Sequence, residues 1–384
     1  MKKFSRIIIS GIIIAVSFTC GSKEVKYSVE VINDVKHVHN YAPQWENGPE
    51  IKLEFVRQIG GLNEDSKEFV FFNPGGPYID NNGYYYVSDY GDKTIRKFDS
   101  DWKFIESFGA KGEGPGEFLS IRNITFDPEG SMYIPDFLQG RIKILDKYGK
   151  EKNSIPDKSV FERITNKLIY LKSGELLSNC YLFVNTDSLM QVIDFNGNIL
   201  RKFGKPPLIF NSPEDWQKNS TMNSFNFTTD NADNVYLTFR KRNRIDKYSP
   251  DGRLLMQIDR PINFEVTEEY KKVDKEIGGK VFSINDVNSV SGSVKVDSKG
   301  RIWVITYNRQ LRDDERKMTT AFTTDGKNMS MEHFNNENAD KVKSDLFVVH
   351  IFNNEGIFLG EIPLLDGRGG MVLYKDRFFQ TDET

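Results

Sequence analysis

One phrase recurs along this chain and constrains its fold more than any other feature: apolar–x–apolar–Asp–x–x–Gly–x–apolar–aromatic–apolar. It spans Tyr78–Val87, Ile124–Ile134, Phe227–Leu237 and Val294–Val304, and a degenerate copy at Ile169–Leu177 fills the gap between the second and third. Apolar residues of period two on both sides of a tight Asp/Gly turn predict a β-hairpin. Each hairpin is followed by a second, at Thr94–Gly109, Arg141–Lys150, Met190–Gly204, Arg244–Leu255 and Val348–Gly360. Hairpins recurring every few tens of residues indicate a repeat architecture whose unit is all β.

Two successive hairpins make a four-stranded antiparallel meander, which is one blade of a β-propeller. Five complete units begin near Tyr78, Ile124, Leu168, Phe225 and Ser293. A sixth hairpin is begun at Met371–Gln380. The stretch Ile51–Gly60 reads like the outer strand of the other blades and is expected to pair with that last hairpin, closing the ring and hiding two sheet edges. The expectation is an all-β, six-bladed propeller.

These phrases, together with the Arg-Ile pairs at Arg141 and Arg244 and the loop Phe108–Phe118, resemble bacterial six-bladed propellers with NHL-like repeats, of the lipoprotein type common in Bacteroidetes. The resemblance runs from about Ile51 to the C-terminus. It implies the fold and not an activity, because propellers carry unrelated functions.

Lys2, Lys3 and Arg6 precede an apolar run from Ile7 to Phe18, too short to span a bilayer and well suited to an export signal. Cys20, directly after it, looks like the acceptor of a lipoprotein signal. The chain therefore divides into a signal over 1–19, a lipid-anchored leader over 20–50, and a propeller over 51–384. Insertions are expected at about 206–223, 262–290 and 308–344. Cys180, in an expected strand, reads as a small buried hydrophobe. A net charge of −3 offers no basic footprint for nucleic acid. Only Glu24 is acidic close behind Cys20, which favours the periplasmic side of an outer membrane over the cell surface.

The insertions cluster in blades three to five, where a rigid scaffold would present binding loops. Thr267–Ile277, with Thr before acids and an apolar stripe at Tyr270, Val273 and Ile277, predicts a short helix ended by Gly278-Gly279. Arg240-Lys241-Arg242-Asn243-Arg244 is the densest basic cluster, with Arg240, Arg242 and Arg244 suited to an anionic sugar, peptide carboxylate or lipid headgroup and Trp216, Trp303 and Tyr307 as stacking surface. Repeat alignment places Asp89, Asp136, Cys180, Phe239, Thr306 and Asp382 at equivalent positions near one channel mouth. Three carboxylates there offer oxygen ligands for Ca²⁺, or each Asp binds amides of its own turn. His37 and His39 share one strand face, too few ligands for a metal site. Gly112–Gly116 lacks the Lys and helix of a phosphate loop and reads as a connection between blades. No cofactor, metal or nucleophilic triad is assigned. The expectation is a monomeric, non-catalytic envelope lipoprotein that binds a protein or glycan. The competing reading is a metal-dependent hydrolase or lyase with its site at the channel mouth.

Overall fold

A computed structural model describes residues 24–60, 66–121, 123–156, 167–180, 187–209, 216–267, 271–277, 280–312, 315, 318–324, 329–335, 344–364, 371–375 and 377–380. Strands β1 (Tyr27–Ile32) and β2 (Val35–Asn40) form a hairpin. Blade one is β3 (Pro74–Ile79), β4 (Tyr85–Asp89), β5 (Thr94–Phe98) and β6 (Phe104–Phe108). Blade two is β7 (Thr125–Phe126), β8 (Met132–Asp136), β9 (Arg141–Leu145) and β10 (Glu151–Pro156). Blade three is β11 (Leu168–Tyr170), β12 (Leu176–Asn179), β13 (Met190–Ile193) and β14 (Ile199–Phe203). After helix α1 (Trp216–Met222) comes blade four: β15 (Phe225–Thr229), β16 (Val235–Phe239), β17 (Ile245–Tyr248) and β18 (Leu254–Asp259). A hairpin of β19 (Lys271–Ile277) and β20 (Lys280–Asp286) precedes blade five. Blade five opens with β21 (Ser291–Val296) and β22 (Ile302–Tyr307), is interrupted by a hairpin of β23 (Met318–Thr324) and β24 (Met329–Asn335), and ends with β25 (Phe347–Phe352) and β26 (Phe358–Pro363). The last hairpin is β27 (Val372–Tyr374) and β28 (Arg377–Phe379).

The recurring phrase has a physical reason. In Asp80, Asp127, Asp230 and Asp297 one carboxylate oxygen accepts the amide four residues on, closing the turn between the first two strands of a blade. The other oxygen accepts from the aromatic six residues on: the hydroxyls of Tyr86, Tyr133 and Tyr236, and Nε1 of Trp303. The Asp therefore fixes both a turn and a buried ring. Gly83 and Gly130 each sit at φ 85°, which is why glycine recurs in the phrase, and Asp233 holds the same corner at φ 59°.

Alternation along each second strand puts neighbouring residues into different cores. Tyr133 packs between blades two and three while Ile134 packs between one and two; Tyr236 and Leu237, and Trp303 and Val304, divide in the same way. Six interblade cores result. Two of them involve the C-terminal hairpin: Met371, Leu373 and Phe378 pack on blade five, and Tyr374 and Phe379 pack on Tyr85 and Phe98 of blade one. The hairpin β27–β28 is thus the sixth blade, held between the fifth and the first.

Ring closure differs from the expectation in one respect. Ile51–Gly60 is irregular, and no backbone bond to Met371–Gln380 exists among the described residues. Ile51 and Leu53 instead add side chains to the core between blades five and six, and Arg57 Nη2 donates to the Asp101 carbonyl at 3.0 Å. Side-chain packing takes the place of strand pairing here.

The alternating stretch in the leader is β1. Its partner β2 pairs in parallel with β18, extending blade four to six strands. Buried Asn40 stitches this addition to blade five. Its Nδ2 donates to the carbonyls of Asp259 (2.8 Å) and Gly356 (3.1 Å), and its Oδ1 accepts from Phe358 N at 2.8 Å. The helix expected at Thr267–Ile277 is absent: Lys271–Ile277 is β19, and residues 268–270 lie outside the described ones. A short surface helix makes few internal bonds, whereas as a strand Lys271–Ile277 gains a full ladder with β20.

Candidate functional site

Antiparallel pairing sorts the connections between strands. The start of each first strand lies beside the end of the second, so the turns from second to third strand and the links between blades share one end of the ring. All three insertions fall at that end: α1 and the hairpin β19–β20 in links between blades, the hairpin β23–β24 in the second-to-third connection of blade five. β20 lies against β23, so the two hairpins adjoin.

The expected ring of carboxylates at this end is a set of latches. Asp89 accepts from the amides of Phe72 (2.8 Å), Asn73 (3.0 Å) and Gly91 (2.9 Å). Asp136 accepts from Leu119 (2.9 Å), Ser120 (3.1 Å) and Gln139 (3.2 Å). Burial pushes the Asp136 carboxyl up, against the pull of those amides. Each Asp ties the incoming link to its own blade, and its oxygens are taken up by backbone. Asp382 and Cys20 lie outside the described residues. Cys180 is buried, as expected. His39 is engaged by Asp259 and Glu30, at 2.6 and 3.2 Å. In the loop Gly112–Gly116 the amides of Gly114 and Gly116 face the carboxylates of Glu117 and Glu151, leaving no anion cradle.

In blade five the latch is inverted. Thr306 stands where Asp89 and Asp136 stand, and the side chain of Arg260, from the preceding link, reaches it. Nη2 donates to Ser291 Oγ (2.7 Å) and Thr306 Oγ1 (3.2 Å), and Nη1 to Asn243 Oδ1 (3.4 Å). No carboxylate pairs with it among the described residues, and burial lowers its pKa to about 9. Nothing in the sequence distinguishes Arg260 from a surface arginine.

The basic turn divides by role. Arg244 clamps buried Asp246 with Nε–Oδ1 at 2.6 Å and Nη2–Oδ2 at 3.0 Å, so it is part of the interior of blade four. Arg242 stacks on the Phe239 ring at 4.7 Å and donates to Asn223 Oδ1 at 3.1 Å; burial and the neighbouring Arg244 lower its pKa to about 10. Arg240 has an exposed side chain, while its backbone joins three segments. Its amide donates to Ser224 O (2.8 Å), its carbonyl accepts from Val290 N (2.7 Å), and the Val290 carbonyl accepts from Tyr307 N (3.0 Å). The structure therefore brings Arg240, Arg242, α1 and Tyr307 together. Lys241, in the same cluster, joins them by donating to Val287 O and Ser289 Oγ.

The aromatic surface is smaller than expected. Trp303 is buried and bonded to Asp297, near the opposite end of its blade. Tyr307 packs edge-on against Phe347, with centroids 4.7 Å apart. Trp216 begins α1, and its side chain lies outside the described residues. Beside Tyr307, Arg309 gathers the base of the blade-five insertion: both its Nη atoms donate to buried Glu315 at 2.7 Å, and Nη2 also to Asp345 at 2.6 Å. These bonds raise the Arg309 pKa above its ordinary value.

Residues 80–331 match the family described as TolB-like 6-blade propeller-like. The chain belongs to that family. Among solved structures, a member of the DUF4221 family from Bacteroides vulgatus aligns over 78% of this chain and 83% of its own, with TM-score 0.51 and 7% identity. A putative exported protein from Bacteroides fragilis aligns over 80% and 75%, with TM-score 0.48 and 12% identity. Virginiamycin B lyase from Staphylococcus aureus aligns over 80% and 99%, with TM-score 0.40 and 12% identity. At 7% identity the likeness to the Bacteroides vulgatus protein is one of fold. No curated protein matches the sequence. The family agrees with the six interblade cores; the sixth blade has two strands among the described residues.

Proposed function

We propose that this member of the TolB-like propeller family is a non-catalytic, lipid-anchored scaffold of the cell envelope. It binds a protein or glycan partner on the end of the ring that carries the insertions of blades three to five. One observation supports this reading. The three excursions and the basic turn share that end and are knitted through the Arg240 backbone, while the opposite end carries short turns among the described residues. Arg240 is the exposed cation of the patch, Arg242 a half-buried one beside α1. Of the three carboxylates that the enzymatic reading needs, Asp89 and Asp136 bind backbone and Asp382 lies outside the described residues. Cys20 supplies the anchor, on the periplasmic side of the outer membrane, and the scaffold acts as a monomer.

A photo-crosslinking residue placed at Arg240 tests the site, with the same residue at Asp251, on the opposite end, as control. Crosslinks to an envelope component from position 240 and not from 251 are expected. Equal yields from both, or yield from 251 alone, would dismiss this binding face. Incorporation of labelled palmitate that is lost in Cys20→Ala tests the anchor; incorporation unchanged by that substitution overturns it.

A further inference from the structure

The axis of the ring is lined by the first strand of each blade, and the charge there is one-sided. β3, β7, β11, β15, β21 and β27 contain no Asp or Glu. Among the described residues the cations at this wall are Lys295 on β21 and Lys167, the residue before β11. The Lys167 ammonium donates to the carbonyl of Phe227, on the first strand of blade four, and stands 4.7 Å from the centroid of that ring. Lys295 is on the first strand of the next blade, close enough to repel Lys167. No carboxylate pairs with either lysine among the described residues, and none of the described groups hydrogen-bonds Lys295.

The wall that holds them is tied from strand to strand. Asn123 Oδ1 accepts from Leu168 N at 2.7 Å and Thr125 Oγ1 from Tyr170 N at 2.9 Å, joining blades two and three. Lys167 joins three to four through Phe227, and Asn226 Nδ2 joins four to five through the Gly292 carbonyl. Phe227, which holds the Lys167 ammonium, is on β15, and β15 lies against β21, the strand that carries Lys295. Burial drives the Lys167 amine well below its ordinary range, with repulsion from Lys295 adding to it, and burial also lowers Lys295. Two like charges with no carboxylate partner among the described residues weaken a fold, and removing either would relieve that cost. An anion bound between them relieves it as well, and low-dielectric channel walls focus their field on such a guest.

We propose that the central channel contains an anion site in which Lys167 and Lys295 clamp a small oxyanion, a carboxylate or a phosphate, between the inner strands of blades three and five. The site is independent of the insertion face, and its ligand need not be the partner bound there. Ammonium groups act on such anions as point charges, which suits a guest of either geometry. Neutral amines react with aldehydes and ammonium ions do not, so the lowered pKa of both lysines gives a direct readout.

Reductive methylation of the intact protein at neutral pH, followed by peptide mass spectrometry, is the test, with inorganic phosphate and acetate as separate probes. Lys167 and Lys295 are expected to label ahead of surface lysines. At an anion concentration about ten times its Kd, labelling of both should fall about tenfold. Phosphate-only protection assigns a phosphate site; acetate-only protection assigns a carboxylate site. Labelling unchanged by either anion overturns the proposal. As a second measurement, phosphate or acetate should raise the melting temperature of the wild type and not of Lys295→Met, which removes an unpaired charge while keeping the length of the side chain. A shift that persists in full in Lys295→Met also overturns it.

Discussion

Blade four and blade six use chain in opposite ways. Blade four carries six strands because the N-terminal hairpin is laid along its outer edge, and Asn40 binds that hairpin to the turn of blade five. Among the described residues blade six has two strands and no backbone partner from Ile51–Gly60. A lone two-stranded hairpin is marginal in water. This one is held by aromatic packing: Phe379 lies 5.5 Å from Tyr85 and 6.2 Å from Trp102, and Arg377 Nη1 donates to the Tyr85 hydroxyl at 2.7 Å. The difference teaches that a propeller can spend backbone hydrogen bonds where an edge is exposed and side-chain packing where a seam is enclosed. Edge amides need partners that are fixed in register, whereas an enclosed seam needs only apolar volume.

Four substitutions or conditions break or sharpen that contrast. The largest effect belongs to the interior of blade four. Arg244→Ala leaves Asp246 buried without its cation and should cost about 3 kcal/mol in urea unfolding; a loss near zero would show that Arg242 takes over the pairing. Next comes the hairpin seam. Asn40→Ala strands the buried Phe358 amide and should cost about 2 kcal/mol, with fast proteolysis of residues 24–40 as its signature. In blade six, Arg377→Ala should cost no more than about 1 kcal/mol, since the aromatic contacts remain. If Arg377→Ala outweighed Asn40→Ala, the contrast between the two blades would be reversed.

The smallest effect depends on pH. Burial alone would lower the His39 pKa, but the bonds to Asp259 and Glu30 outweigh it and the value is raised. A raised histidine stabilises the fold fully below its unfolded value of 6.5, and that contribution is lost as pH rises through the folded value. Hydrogen exchange of the β1 and β2 amides should therefore quicken relative to the core as pH passes from 6 to 8, after correction for the intrinsic rate. His39→Gln should abolish that excess. An excess that survives in the variant would place the pH dependence elsewhere.

Much of the propeller was legible in the chain because its repeat is local. Asp80 finds its amide and its aromatic within six residues, so the phrase that reveals the blade is also the phrase that bonds it. The strand Lys271–Ile277 reads as a helix in the sequence because Val273 and Ile277 fit either period, and only the partner β20 settles it. The site was legible in part. Arg240 stood out as one of a run of cations, yet the sequence could not separate it from Arg244, whose charge is spent on Asp246. Arg260 and the lysine pair gave no signal, since their surroundings are assembled from blades tens of residues apart.

By itself the sequence determined the number of blades, the position of nearly every tight turn, and the rings that the turns anchor. These are interactions within a few residues, and period-two patterning makes them visible. Only the tertiary structure decided how the ring closes, where the leader docks, and which charges are paired. Those outcomes depend on what lies across an interblade seam, and a linear pattern holds no record of which residues meet there.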